Sequence, residues 1–167
     1  MKAILQKFLL SVVTITMFLC SGNPTKNNHQ SFGIFLNEDG SLLLSDDDVE
    51  AYIRTEHKIV LNQQGMKKWN SYIFYDSSKS PPIPLLAGLY QKNFTFKLDN
   101  KVIYTGKFSS FLSSFIYSGI TIYDVVFACD AQHNWISIGY WTQDDTATDL
   151  RNNEELFDFL DSQGKLR

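Results

Sequence analysis

The sequence predicts an α+β domain: a mostly antiparallel sheet with helices on one face, in the order β-α-β-α-β-β-β-β-α. Three observations carry that expectation. Short alternating apolar runs, bounded by turn residues, recur along the chain as they do in sheets. Three segments instead place a helix-start signal ahead of apolar residues at helical spacing. Finally, 167 residues with 44% hydrophobic and 14% aromatic side chains can bury the core of one domain and are too apolar for a disordered chain.

Phe32–Leu36 is a short apolar run closed by Asn37-Glu38-Asp39-Gly40, a strand and its turn. Ser45-Asp46-Asp47-Asp48 ahead of Val49, Tyr52 and Ile53 predicts the first helix, since a hydroxyl and carboxylates cap free amides and oppose the helix dipole. A calcium loop would need spaced oxygen ligands, a central Gly and a closing Glu, and none follows here. His57–Leu61 alternates as a strand, and Asn62-Gln63-Gln64-Gly65 opens a second helix through Met66, Trp69 and Ile73. Ser77–Pro84 contains three of the four prolines, which makes it a loop. Phe94–Leu98 and Lys101–Tyr104 alternate on either side of Asp99-Asn100, a hairpin with a tight turn. Ile120–Ala128 reads as a buried strand and Asn134–Trp141 as an alternating one. The turn Asp144–Asp149 leads into a last helix on Leu150, Leu156, Phe157 and Leu160, ended by Gly164.

The N-terminus is organised differently. Lys2 and Lys7 precede the apolar stretch Phe8–Leu19, which suits an export signal and is short for a membrane span of about 20 residues. Residues 1–22 are therefore expected to be a signal peptide, 23–31 a flexible polar tether and 32–167 one domain. Two processing routes compete: cleavage after Gly22, or lipidation of Cys20. The polar tether after the cysteine favours Cys20 as a lipid anchor, although Leu19 stands where lipoproteins carry a small residue. The expected location is the cell envelope, lipid-anchored at the membrane, or else secreted or periplasmic.

Without Lys2 and Lys7 the 15 basic residues fall to 13 against 18 acidic ones, a charge of −5. A mildly acidic chain with no basic stripe is a poor match for nucleic acid, because neutralising phosphates takes clustered Lys and Arg.

Residues 57–72, HKIVLNQQGMKKWNSY, and residues 94–108, FTFKLDNKVIYTGKF, resemble the P1 head subdomain of the protein-export factors SecD and SecDF. The resemblance covers about residues 57–126 and runs through Leu61, Gly65, Leu98, Asp99, Lys101 and Val102. Asn100 stands where that subdomain carries Gly, and Thr105-Gly106 where it carries Ala-Pro. The resemblance implies the fold of that subdomain and an envelope location. It implies no translocase activity, which in those factors needs a multispan membrane portion.

Few residues suggest chemistry. Cys129 lies among Val125, Val126, Phe127 and Ala128, the setting of a small buried hydrophobe. His29 falls in the tether, and His57 stands beside Glu56 at a strand start. Asp130 and His133 are three apart in a turn, too few for a metal site of three or four ligands. Asp144, Asp145 and Asp149 are explained as caps of the last helix. No nucleophile elbow, phosphate-binding glycine loop or metalloprotease helix is present. No catalytic residue, metal or cofactor is expected, and no enzymatic activity.

The segment Phe108–Gly119 stands apart, with aromatics interleaved among five serines. Phe108, Phe111, Phe115 and Tyr117 are the candidate binding residues, an apolar patch for a peptide, a lipid or an envelope protein. The expected function is a binding or accessory module with a SecD-head-like domain. Two alternatives remain: a small exported hydrolase using Asp130/His133 or Asp144–Asp149, and a structural subunit that pairs through an edge strand.

Overall fold

The computed structural model describes residues 31–167 as a mixed α+β fold, with a large curled sheet and, among those residues, two α-helices. The expected signal peptide, Cys20 and most of the tether lie outside the described residues. The strands are β1 (Phe32–Leu36), β2 (Leu42–Ser45), β3 (Val49–Ile53), β4 (Lys58–Leu61), β5 (Tyr75–Asp76), β6 (Ile83–Pro84), β7 (Asn93–Leu98), β8 (Lys101–Phe108), β9 (Gly119–Ile122) and β10 (Trp135–Trp141). The helices are α1 (Gln63–Asn70) and α2 (Glu154–Ser162).

Eight strands form one sheet in the order β2-β1-β7-β8-β9-β10-β4-β3, and β5 and β6 make a separate small ladder. All neighbours in the large sheet are antiparallel except β8 and β9. The edge strands, β2 and β3, are consecutive in the chain, separated only by a 3-10 turn at Asp46–Asp48. The steps from Ser45 to Val49 can span at most about 14 Å. Seven strand spacings in a flat sheet would hold those edges about 34 Å apart. The sheet must therefore curl until its edges nearly meet. Residues Lys165–Arg167 run along the free edge of β3: the Tyr52 amide donates to the Lys165 carbonyl, and the Arg167 amide donates to the Tyr52 carbonyl.

The curl encloses one core. Phe32 stacks on Phe96 and meets Phe159 of α2 edge-on, at the end of the sheet where β1 pairs with Leu98. Trp69 of α1 packs against Phe108, which packs against Phe94, at the other end. Both helices thus send buried side chains into the same interior. Helix α1 is capped by Asn62, whose Oδ1 accepts from the Gly65 amide at 3.0 Å. Helix α2 is capped by Asn153 and gives way at Gly164, whose φ of +66° suits glycine.

Several expectations need correction. The first expected helix is absent: Ser45 and Asp48 cap only the 3-10 turn, with Asp48 accepting from the Ser45 amide and hydroxyl. Val49, Tyr52 and Ile53 then enter β3, where the branched and aromatic side chains gain a partner in β4. The element order accordingly opens with four strands. The strand expected to reach Ala128 stops at Ile122, because Asp124 turns the chain and accepts from the Ser137 amide at 2.7 Å. Strand β2 has no counterpart in the sequence reading, and the proline-rich loop is closed at its base by β5 and β6.

Candidate functional site

The aromatic–serine segment is a crossover. Strands β8 and β9 are parallel neighbours, pairing Gly106 with Ile120 and Phe108 with Ile122. The chain must therefore travel back alongside the sheet between Phe108 and Gly119. Parallel neighbours usually use a dozen or more residues and a helix for this return. Here residues 109–118 make it as irregular backbone, and the serines hold it in shape. Ser109 and Ser110 are buried. The Ser110 hydroxyl accepts from the Leu112 amide, and the Ser113 hydroxyl accepts from the Phe115 amide. Tyr90 donates its phenol to Ser113 Oγ at 2.8 Å, tying the crossover to the loop before β7.

With the hydroxyls of Ser110 and Ser113 turned to its own backbone, the crossover leaves its apolar side chains outside. Phe111 is 69% exposed, Leu112 57%, Phe115 61% and Ile116 69%. Phe111 stacks on Tyr123 at 4.8 Å. With Phe127, Ala128, Asp124 and His133 it lines a cleft of about 400 Å³. Of the four candidate residues, Phe111 and Phe115 thus stand on the surface. Phe108 is fully buried and belongs to the core, so it cannot contact a ligand from this position. Tyr117 is half-buried, with the Lys107 ammonium 5.1 Å from its ring centre. Leu112 and Ile116 were missed. The short repeat Ser-Ser-Phe-Leu-Ser-Ser-Phe-Ile at 109–116 was the signal that pairs each phenylalanine with an exposed aliphatic neighbour.

Two further loops join the surface. The Ala128 amide donates to the Tyr75 hydroxyl, which sets the exposed Tyr75 beside Phe127, while the exposed Phe74 precedes it in the chain and lies against Gly88. Leu85 and Leu86, also exposed, lie on the loop that Tyr90 fastens to Ser113.

The residues read for catalysis are occupied locally. Asp130 Oδ1 accepts from the Gln132 and His133 amides, both at 2.8 Å, and the His133 ring stacks on Trp135 at 4.0 Å. Among the described residues no three His, Cys, Asp or Glu side chains gather as metal ligands. Burial pushes the Cys129 thiol up to about 12, far from a reactive thiolate. Asp144 accepts from the Thr146 amide and hydroxyl. Asp149 takes the forked guanidinium of Arg151, which more than offsets the effect of its burial and holds the carboxyl below the usual range. Neither caps α2.

A polar cluster that the sequence did not reveal lies beneath Arg151. Tyr52 Oη is 3.0 Å from His57 Nδ1, and Arg151 also donates to the Ile138 carbonyl. Burial, then the Arg151 charge, holds His57 below its ordinary pKa, and burial raises Tyr52 and Tyr104. The cluster ties β3, β10 and the segment before α2 together.

Compared with protein-family models, with curated proteins and with solved structures, the chain has no match in any of the three.

Proposed function

We propose that this chain is an exported binding or accessory module, anchored in the cell envelope through Cys20 or released, whose working surface is the loop cluster around Phe111, Leu112, Phe115 and Ile116. The single observation behind the reading is that these four apolar side chains are each more than half exposed on one ten-residue crossover. Folded monomers seldom leave such a group unpartnered. A SecD-head-like domain is part of the same reading, supported by the succession of β4, α1 and the β7–β8 hairpin. The domain's tail already occupies the free edge of β3, which leaves less room for the edge-pairing alternative.

Two measurements test the reading. Phe111→Ser with Phe115→Ser should abolish co-purification of whatever the wild type retains from membranes, while the melting temperature changes little because the rings already face water. A loss of several kcal/mol of stability would instead class those rings as core. Fatty-acid labelling should tag the wild type and not Cys20→Ser; equal labelling would remove the lipid anchor from the proposal.

A further inference from the structure

Charge is divided between two walls of this protein. Residues 31–61 and 144–167 hold 14 carboxylates and five basic side chains, a net of −9. Residues 62–143 hold seven lysines and four carboxylates, a net of +3, and no carboxylate occurs from Asn100 to Tyr123. The strand order turns this into geometry. Strands β7, β8, β9 and β10 make the middle of the curled sheet, flanked by β1 and β2 on one side and β4 and β3 on the other. Where the sheet curls round on itself, the flanking acidic strands form the wall opposite the middle strands.

The exposed crossover belongs to the basic wall. Lys92 and Lys107 stand at its base: the Phe108 amide donates to the Lys92 carbonyl, and the Lys107 ammonium lies over Tyr117. Among the described residues neither lysine forms a direct ion pair; Lys107 has no carboxylate partner, whereas Lys92 shares its end of the sheet with Asp39, whose carboxyl it helps hold low, and with Glu38, which accepts from the Asn93 amide. Apolar loop tips on a segment that carries Lys101 and Lys107 and no carboxylate, with the nearby Asp124 turned to the Ser137 amide, match one kind of surface chemically. Rings and aliphatic chains enter the acyl boundary of a bilayer, ammonium groups stay level with anionic headgroups, and an acidic far wall is repelled outward.

We propose that the crossover loop seats on an anionic phospholipid bilayer, with Phe111, Leu112, Phe115 and Ile116 inserted and Lys92 and Lys107 at the headgroups. This rests on the reading above that the loop cluster is the binding surface, and it names that surface's partner.

The test uses the full chain, so that Phe8–Leu19 is common to every arm. Ile116→Trp reports on the loop, and Gln163→Trp, beyond the end of α2, reports on the acidic side. Each is measured against the wild type with bromine-labelled lipids, in vesicles of phosphatidylcholine alone and of phosphatidylcholine mixed with phosphatidylglycerol. Quenching is expected at Ile116→Trp and not at Gln163→Trp. It should be strong on the mixed vesicles, weak on the neutral ones and suppressed by high salt. Each of Lys92→Gln and Lys107→Gln should weaken it about fivefold. Leu112→Trp serves as the second probe if Ile116→Trp fails to fold. No quenching at the loop, or equal quenching at both probes, overturns the proposal. If the Phe111→Ser, Phe115→Ser chain then still loses a protein partner that the wild type retains, the broader binding reading stands and the surface is a protein site. If it loses nothing, both fall.

Discussion

His57 sits at a φ of +48°, which few side chains adopt and which turns its ring toward Tyr52 while Glu56 pairs with Lys58. Beside Glu56 in the sequence, the same residue reads as solvated or ion-paired, because nothing in a linear order reveals a left-handed turn. The consequence is a pH dependence. Folding holds the imidazole below its ordinary pKa, so the unfolded chain takes up the proton first. That share of stability is complete above about pH 6.5 and drains away as pH falls through the lower folded value. Urea titrations should show stability falling below that pH in the wild type and a flatter profile in His57→Asn, which tolerates the same backbone. Parallel profiles would rule His57 out as the source. Losses that set in only below about pH 4 belong to the carboxylates held low in the fold, among them Asp48 and Asp149, which Lys68 and Arg151 keep ionised against the opposing effect of burial. Cys129 was legible as an inert buried thiol, since an apolar run on one side sufficed to place it.

Helix α1 docks on the 3-10 turn through a contact that only glycine permits. A Cβ on Gly65 would lie 2.2 Å from the Asp48 carbonyl oxygen, and Asp48 in turn accepts from Gln64 and Lys68. In an open helix Gly→Ala stabilises by about 0.5–1 kcal/mol. Here the sign should reverse, with Gly65→Ala costing about 2–3 kcal/mol because helix and turn must move apart. A denaturation midpoint equal to or above that of the wild type would show that α1 can shift freely. The sequence announced α1, the β7–β8 hairpin and α2 clearly, because caps, turn residues and periodicity agreed within each segment. It misdirected at Ser45–Ile53, where a sound capping signal serves a single turn and the pairing partner, β4, supplies the deciding energy. The crossover was legible as unusual, but not as a return between parallel strands, since which strands neighbour each other is a long-range fact. Phe108 shows the cost: one residue earlier than the serines, it is the last residue of β8 and faces inward.

At the scale of the whole molecule, the outermost strands come from the first third of the described chain and the central four from later residues. Hairpin pairs β1–β2 and β3–β4 can form locally, but each then offers an inner edge, β1 or β4, that waits for β7 and β10. A chain ending at Lys92 keeps both pairs and lacks every strand that fills the gap. It should aggregate at micromolar concentration, or show no cooperative melt, because unpaired strand edges recruit one another. A soluble, cooperatively melting fragment would mean that the two pairs close on each other directly. Neither the curl nor the seam was legible beforehand, since both follow from strand order, and β2 is too short and too plain to be read alone. The same order sets a clock on biosynthesis. About 80 residues must follow β4 before β10 is complete, roughly 4–16 s of translation at ordinary rates. Through that interval β1 and β4 lack the partners that cover their inner edges, so any folding that starts before β10 is available leaves those edges open to mispairing.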